Sequence, residues 1–168
     1  MTSMSRAIQK IDYAGRTVDL LLLKTVMSVP VVNKRVGIDV SNVVDEPMIV
    51  SGVEKMVQRY ALAFINAIGS TKFRPNHGTE IVPRVSAGLV YSMATLESAA
   101  AEANLIAGRQ IMLADENEET PDDERLIASD VIDLEFSREK SMVRISVRLT
   151  TAAGNSYVYI IPVGVGVH

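Results

Sequence analysis

The sequence predicts an α+β fold in a single domain: N-terminal strands, two to three central helices and a C-terminal three-stranded antiparallel meander. Three observations predict this order. β-Branched residues dominate residues 17–50, an apolar stripe at helical spacing begins at Val53, and strict alternation of apolar and polar residues begins at Met142. The chain has 168 residues, a length typical of one domain. We expect residues 1–16 to form a flexible arm, because they are polar and mixed, and residues 17–168 to form the domain.

The composition excludes several kinds of site. The chain has no cysteine, which removes disulfides, thiolate nucleophiles, zinc ribbons and Fe–S centres, and its two histidines make a histidine-rich metal site unexpected. A formal charge of −3 is too small to steer the protein toward nucleic acid or a membrane surface. No apolar run approaches the ~20 residues of a membrane span, and the start lacks a secretory signal. We expect a soluble, non-enzymatic protein made in a cytoplasm, with no cofactor, no nucleic acid and no membrane partner.

The N-terminal third predicts strands. Valine and isoleucine recur from Thr17 to Val50, and Pro30 and Asn33 interrupt the run, so two or three strands are expected there rather than a helix.

The strongest helix signal follows. Ser51 and Glu54 have the spacing of a capping box, and Gly69 is the expected C-terminal stop. Between them, apolar residues repeat at three- and four-residue intervals, which predicts one buried helical face. That stripe comprises Val53, Met56, Val57, Tyr60, Ala61, Phe64, Ile65 and Ile68.

A turn and a second helical region come next. Pro75 and Gly78 prevent residues 73–78 from continuing a helix. The second helical region is expected at about residues 86–113, with Thr95 as an N-cap near a break. Its stripe is rich in small residues, which permits close approach to another backbone: Leu96, Ala99, Ala100, Ala103, Ile106 and Ala107.

One block of charge precedes the C-terminal strands. Residues 115–125 contain seven acids and one base, a charge of −6, which leaves +3 for the rest of the chain. Thr120 and Pro121 give this block the composition of a loop, so a solvated loop is expected, with a binding surface as the alternative. The spacing of a calcium loop is missing. Three strands are then expected at residues 126–136, 142–151 and 157–165, joined by short turns.

No catalytic constellation emerges. His77 lies in a Pro/Gly turn without a nucleophile in a strained elbow beside it, so it is expected to be a structural hydrogen-bonding residue. Gly164 and Gly166 resemble part of a dinucleotide fingerprint, but no helix follows them. We therefore expect no catalytic, cofactor-binding or metal-binding residues.

An ordered set of short motifs carries a resemblance over residues 49–163. A helix opens with Gly52 and carries Gln58, a glycine follows at Gly69, and an aromatic-Pro-x-x-Gly run follows at Phe73, Pro75 and Gly78. This arrangement resembles the sheath initiator (baseplate wedge) family of contractile phage tails, type VI secretion machines and related injection particles. Some of its members carry a historical lysozyme label. Two departures are visible: Asp123-Glu124-Arg125 stands where the family has a Glu-Pro-Arg-like motif, and His77 stands where the family usually has an aromatic residue.

The resemblance implies a structural role with several protein partners. Such a protein links the baseplate wedge to the first ring of sheath subunits, in about six copies in a ring-like assembly within the virion tail. The implied partners are the tail sheath subunit and the core helical bundle of the wedge, with the tail tube or hub as a further candidate. Arg125 would dock onto the core bundle, with Glu124 and Asp123 beside it. Sheath strands would add to an edge at Tyr157, Tyr159 and Ile161.

Two alternatives stay open at this point. The chain could be a tail-completion or connector protein of a non-contractile particle. It could also be a peptidoglycan hydrolase, as the historical label suggests, with acids of the 115–124 block in the catalytic role.

Overall fold

The computed structural model describes residues 19–20, 24–28, 35–39, 49–137 and 142–164. The expected arm, residues 1–16, lies outside these ranges, and so do residues 138–141 of the turn after β5. Within them the predicted α+β order is confirmed. Ten elements follow one another along the chain: β1 (Asp19–Leu20), β2 (Lys24–Ser28), β3 (Arg35–Asp39), β4 (Ile49–Val50), α1 (Val53–Ile65), α2 (Ile81–Ser86), α3 (Met93–Glu116), β5 (Leu126–Ser137), β6 (Met142–Thr151) and β7 (Ser156–Gly164).

The C-terminal meander forms three adjacent strands of a five-stranded sheet with the order β2-β3-β7-β6-β5. Strands β5, β6 and β7 pair antiparallel, as the alternation predicts. The apolar face of β6 and β7 is buried, because the helices pack against it. Its residues are Val143, Ile145, Val147, Leu149, Tyr159, Ile161 and Val163.

The prediction that β7 offers an open edge is wrong for this arrangement. Strand β3 pairs parallel with β7 across Val158, Tyr159 and Ile160, so β7 lies inside the sheet. The side chains of Tyr159 and Ile161 are fully buried, and Tyr157 packs against the core. The chain's own N-terminal region supplies the neighbouring strand, a long-range pairing that local periodicity does not reveal. Among the described strands, the edges of this sheet are β2 and β5.

Helix α1 begins and ends differently from the sequence prediction. Its N-cap residue is Gly52, which has no side chain to cap the helix, and Glu54 is exposed, so the predicted capping box with Ser51 is wrong. The helix ends at Ile65, four residues before Gly69. At this end of the helix the Thr79 hydroxyl donates to the Phe64 carbonyl at 2.6 Å.

The predicted stripe of α1 nevertheless packs into the core, except Ile68, which lies beyond the helix and is exposed. The Tyr60 hydroxyl donates to Asn104 Oδ1 at 2.6 Å, and Asn104 Nδ2 donates to the Ser129 carbonyl at 2.9 Å. These bonds connect α1, α3 and β5, and burial raises the pKa of the Tyr60 hydroxyl above its ordinary value.

The second helical region is two helices. Helix α2 ends at Ser86, and α3 begins at Met93 with Ser92 as its N-cap. Thr95 is therefore not the N-cap but its partner in a capping box, since Thr95 N donates to Ser92 Oγ and Ser92 N donates to Thr95 Oγ1. Helix α3 approaches β5 closely at Gly108, where a Cβ would lie 2.6 Å from Ser129 Oγ. None of the described helices is long and apolar enough to cross a membrane.

Candidate functional site

The loop between α3 and β5, residues 117–125, is here called the acidic loop. Its backbone is folded on itself, because the amides of Glu124 and Arg125 both donate to the Pro121 carbonyl at 2.9 Å. It is also bound to the turn between β6 and β7: Ala153 N donates to the Asp122 carbonyl and Ala152 N donates to the Arg125 carbonyl. The acidic loop is therefore a fixed part of the domain.

Glu124 points inward from this loop. Its side chain is 1% exposed, and Oε1 accepts a hydrogen bond of 2.8 Å from the amide of Gly52, at the start of α1. Its other oxygen, Oε2, lies 3.7 Å from Lys55 Nζ. A carboxylate at a helix N-terminus is favoured by the helix dipole, so Glu124 replaces the capping box predicted from Ser51. The acid that caps α1 comes from 72 residues away in the sequence.

Asp115, in the last turn of α3, is the second buried acid. Its Oδ1 accepts from Arg59 Nη1 at 2.7 Å and from the Thr120 hydroxyl at 3.3 Å, and its Oδ2 accepts from Leu126 N at 3.1 Å. This carboxylate joins α1, the acidic loop and β5. The expectation of a solvated acidic block is thus wrong for Asp115 and Glu124, and it holds for the exposed acids Glu116, Glu118, Glu119 and Asp122.

Arg125 points outward. Its side chain is 47% exposed, and Nη2 donates to Asp122 Oδ1 at 2.7 Å in an ion pair three residues apart. It lines a shallow groove together with Glu116, Glu118 and Ile127. Asp123 is half-buried beside it. The predicted docking residues are adjacent in the chain but face in different directions. Glu124 holds the loop on α1, whereas the Arg125 guanidinium faces solvent. A guanidinium can make a bidentate contact with a carboxylate.

The predicted motif residues meet at a second loop, residues 66–80, here called the Phe73 loop. Gly69 N donates to the Pro75 carbonyl at 2.8 Å, and Thr79 N donates to the Asn66 carbonyl at 2.8 Å. Gly78 has φ +112°, and a Cβ there would lie 2.4 Å from the Asn66 carbonyl oxygen, so only glycine fits. These contacts give the aromatic-Pro-x-x-Gly run a defined shape.

Gln110, on α3, holds this loop and was missed by sequence reasoning. Its Nε2 donates to the carbonyls of Asn76 and Gly78, and its Oε1 accepts from Gly78 N, each at 3.1 Å. An amide side chain can donate and accept at once, which suits the two kinds of backbone group on the loop. Nothing in the local sequence marks Gln110, because its partners lie more than thirty residues earlier. Gln58, the glutamine that the sequence motif includes, is buried in α1.

His77 lies half-buried in the Phe73 loop. It lines a small pocket of about 210 Å³ with Arg59, Arg74 and Gln110. The pKa of His77 is lowered from its ordinary value, first by burial and second by the charge of Arg74. Within the described ranges, no group of three or more His, Cys, Asp or Glu side chains could hold a metal ion.

Comparisons with known proteins show a similarity among solved structures alone. No protein-family model and no curated protein matches the chain. Among solved structures, the chain is similar to the crystal structure of a protein from Geobacter sulfurreducens that is provisionally described as a tail lysozyme. The TM-score is 0.46 and the identity 14%, over 68% of this chain and 91% of that one.

Proposed function

We propose that this protein is a structural baseplate component of a contractile tail, which links the baseplate wedge to the first ring of sheath subunits and initiates sheath assembly. The observation that carries the proposal is the exposed Arg125 guanidinium on an anchored loop, at the position of the family's docking arginine. Buried carboxylates fix the backbone on either side of it, so little ordering entropy is lost when Arg125 binds a partner.

The two edges of the described sheet support a role in strand addition. Each of β2 and β5 has one neighbouring strand within the described ranges, so each presents a row of backbone groups that another chain's strand can bind. Strand β3, placed beside β7, is an intramolecular example of the same pairing. We propose the edge of β2 for the sheath strand, in place of the edge of β7 expected from the sequence.

The test is reconstitution with the wedge complex and the sheath subunit of a contractile tail from the same source. We expect the wild type to bind the wedge complex and to promote sheathed tails, and Arg125→Ala to lose both activities. Arg148→Ala is the matched control, because Arg148 is an exposed arginine on β6, away from the acidic loop. Wedge binding and sheathed tails undiminished in Arg125→Ala would refute the proposal.

The hydrolase alternative can be tested in parallel. Glu124 is poorly placed for general acid catalysis, because its carboxylate is buried against Gly52 and Lys55 rather than open to a cleft. Glu116 is exposed. Zymography on bacterial cell walls is expected to show no clearing. Clearing by the wild type that is lost in Glu116→Gln would favour the enzyme instead.

A further inference from the structure

The tip of the Phe73 loop carries an exposed aromatic side chain between two cations. Phe73 is 91% exposed, and Lys72 and Arg74 on either side of it are exposed as well. Neither cation forms a salt bridge within the part of the chain that the structure describes. Aromatic side chains are enriched in the cores of protein interfaces, where they serve as anchors.

The loop that presents Phe73 is already ordered. Gln110 binds its backbone at Asn76 and Gly78, and the Gly69–Pro75 hydrogen bond closes the turn around the tip. An anchor on such a loop loses little conformational entropy when it binds, so most of its buried apolar area contributes to affinity.

The opposite flank of α3 carries a surface of complementary chemistry. Gln110 and Ala114 face the Phe73 loop, whereas Met93, Glu97 and Ala101 face β5. Between α3 and β5 runs an open groove of about 460 Å³, here called the α3–β5 groove, lined by Met93, Glu97, Ala101, Val131, Ile132, Asp133 and Leu134. It continues toward two further exposed aromatic residues, Tyr91 and Phe136.

The charges in the α3–β5 groove are both negative. Glu97 and Asp133 are exposed carboxylates among apolar residues, and neither is paired with a cation in the described part of the chain. The groove therefore fits an apolar side chain flanked by cations, and the segment Lys72-Phe73-Arg74 has that composition. Complementary charges of this kind set the orientation and the rate of association.

We propose that the occupant of the α3–β5 groove is the Phe73 loop of a second copy of this chain. The Phe73 loop and the α3–β5 groove lie on opposite flanks of α3. One copy therefore cannot contact the same second copy through both of them. The contact is heterologous: the loop of one copy binds the groove of the next, and repetition produces a ring if the rotation closes. The interface uses neither Arg125 nor the edge of β2, so it is independent of the proposed docking and strand addition.

Sedimentation velocity of the purified full chain over a wide concentration range tests the association. We expect the wild type to associate reversibly and less strongly at high salt, because the charge pairs are exposed. Phe73→Ser is expected to weaken association at least about tenfold, the size of a hot-spot effect. Leu113→Ser, at an exposed position on α3 outside both surfaces, is the control and is expected to associate as the wild type does.

A mixing experiment tests the loop-to-groove geometry. Ala101→Lys places a long cation in the groove at an exposed helical position and repels Lys72 and Arg74. At concentrations where the wild type associates, each of Phe73→Ser and Ala101→Lys should be largely monomeric alone, but a mixture should form a one-to-one dimer, since the intact loop of Ala101→Lys fits the intact groove of Phe73→Ser. Thermal unfolding confirms that both variants fold. A monomeric wild type at low salt, self-association of either variant as strong as that of the wild type, or a mixture that associates no more strongly than the separate variants would each overturn the proposal.

Discussion

The Phe73 loop connects α1 to α2, whereas the acidic loop connects α3 to β5, and polar contacts hold both of them. The chemistry of the contacts differs. The acidic loop is held by two carboxylates, Glu124 within it and Asp115 at the end of α3, which bind Lys55, Arg59 and backbone amides. The Phe73 loop is held by the neutral amide of Gln110 and by backbone hydrogen bonds.

The difference determines what each loop can present to a partner. The acidic loop turns some of its charge inward for anchoring, and its one arginine remains at the surface. The Phe73 loop needs no charge for its own structure, so its cations and its aromatic tip all face solvent. If this comparison is correct, the acidic loop is sensitive to loss of a carboxylate, and the Phe73 loop is sensitive to backbone geometry.

The largest effect is expected from Asp115→Ala. The substitution removes the acceptor for Arg59 Nη1, Leu126 N and Thr120 Oγ1, and it leaves a largely buried guanidinium without its carboxylate. Loss of one partner of a buried ion pair typically costs about 3–5 kcal/mol in the free energy of unfolding. Chemical denaturation measures this cost. Glu116→Ala, at the adjacent exposed acid, should change it by less than about 0.5 kcal/mol, and equal effects at both positions would contradict the inward role of Asp115.

Gly78→Ala tests the backbone geometry of the Phe73 loop. The new Cβ would meet the Asn66 carbonyl oxygen at 2.4 Å, at a φ of +112°, so the loop must shift as well as carry strain. We expect a loss of about 3 kcal/mol, at the upper end of the range for strained backbone positions. Gly154→Ala is the control: its φ is +80° but no atom lies within 4 Å, so a cost of only about 1 kcal/mol is expected. Equal losses in the two variants would show that the contact with Asn66 is unimportant.

The sequence predicts the elements of this fold better than it predicts their connections. The alternation in β6 and the stripe of α1 are local patterns that depend on one buried face, so both could be predicted. The cap of α1 could not be predicted, because Glu124 reaches Gly52 from a distant loop and displaces a good local capping box. The pairing of β3 with β7 is a long-range contact of the same kind.

The same distinction between local patterns and long-range contacts applies to the candidate site. Arg125 could be singled out because it ends a conspicuous block of charge and matches a motif position. The direction in which each acid points could not be predicted. The sequence of the acidic block does not distinguish a carboxylate that faces water from one that binds Arg59. The exposure of Phe73 was also hidden, because an aromatic residue is ordinarily expected in a core.

Gln110→Leu tests whether a neutral anchor suffices for the Phe73 loop. Leucine keeps the volume but leaves the buried amide of Gly78 without its acceptor, an expected loss of about 2 kcal/mol in the free energy of unfolding. Arg109→Ala, at the exposed neighbouring position, should change stability by less than about 0.5 kcal/mol. The loss in Gln110→Leu should be the same at low and high salt, because no ion pair is broken. A strong dependence on salt would remove the distinction between the two loops.

The smallest effect concerns pH and the Phe73 loop. The pKa of His77 is lowered below its ordinary value of 6.5, by burial and then by Arg74, so the unfolded chain binds a proton more readily than the folded one. The contribution to stability is therefore fully present above pH 6.5 and is lost as the pH falls through the folded pKa.

Urea denaturation of the wild type and His77→Gln over this range measures the contribution of His77. The stability difference between the two should change only between pH 6.5 and the folded pKa, in the direction of a weaker wild type at lower pH. Arg74→Gln removes the second cause of the lowered pKa and should reduce the change without abolishing it, since burial is the larger cause. A wild type that gains stability relative to His77→Gln on acidification would mean that the ring is held by an anion. The Phe73 loop would then depend on charge as the acidic loop does.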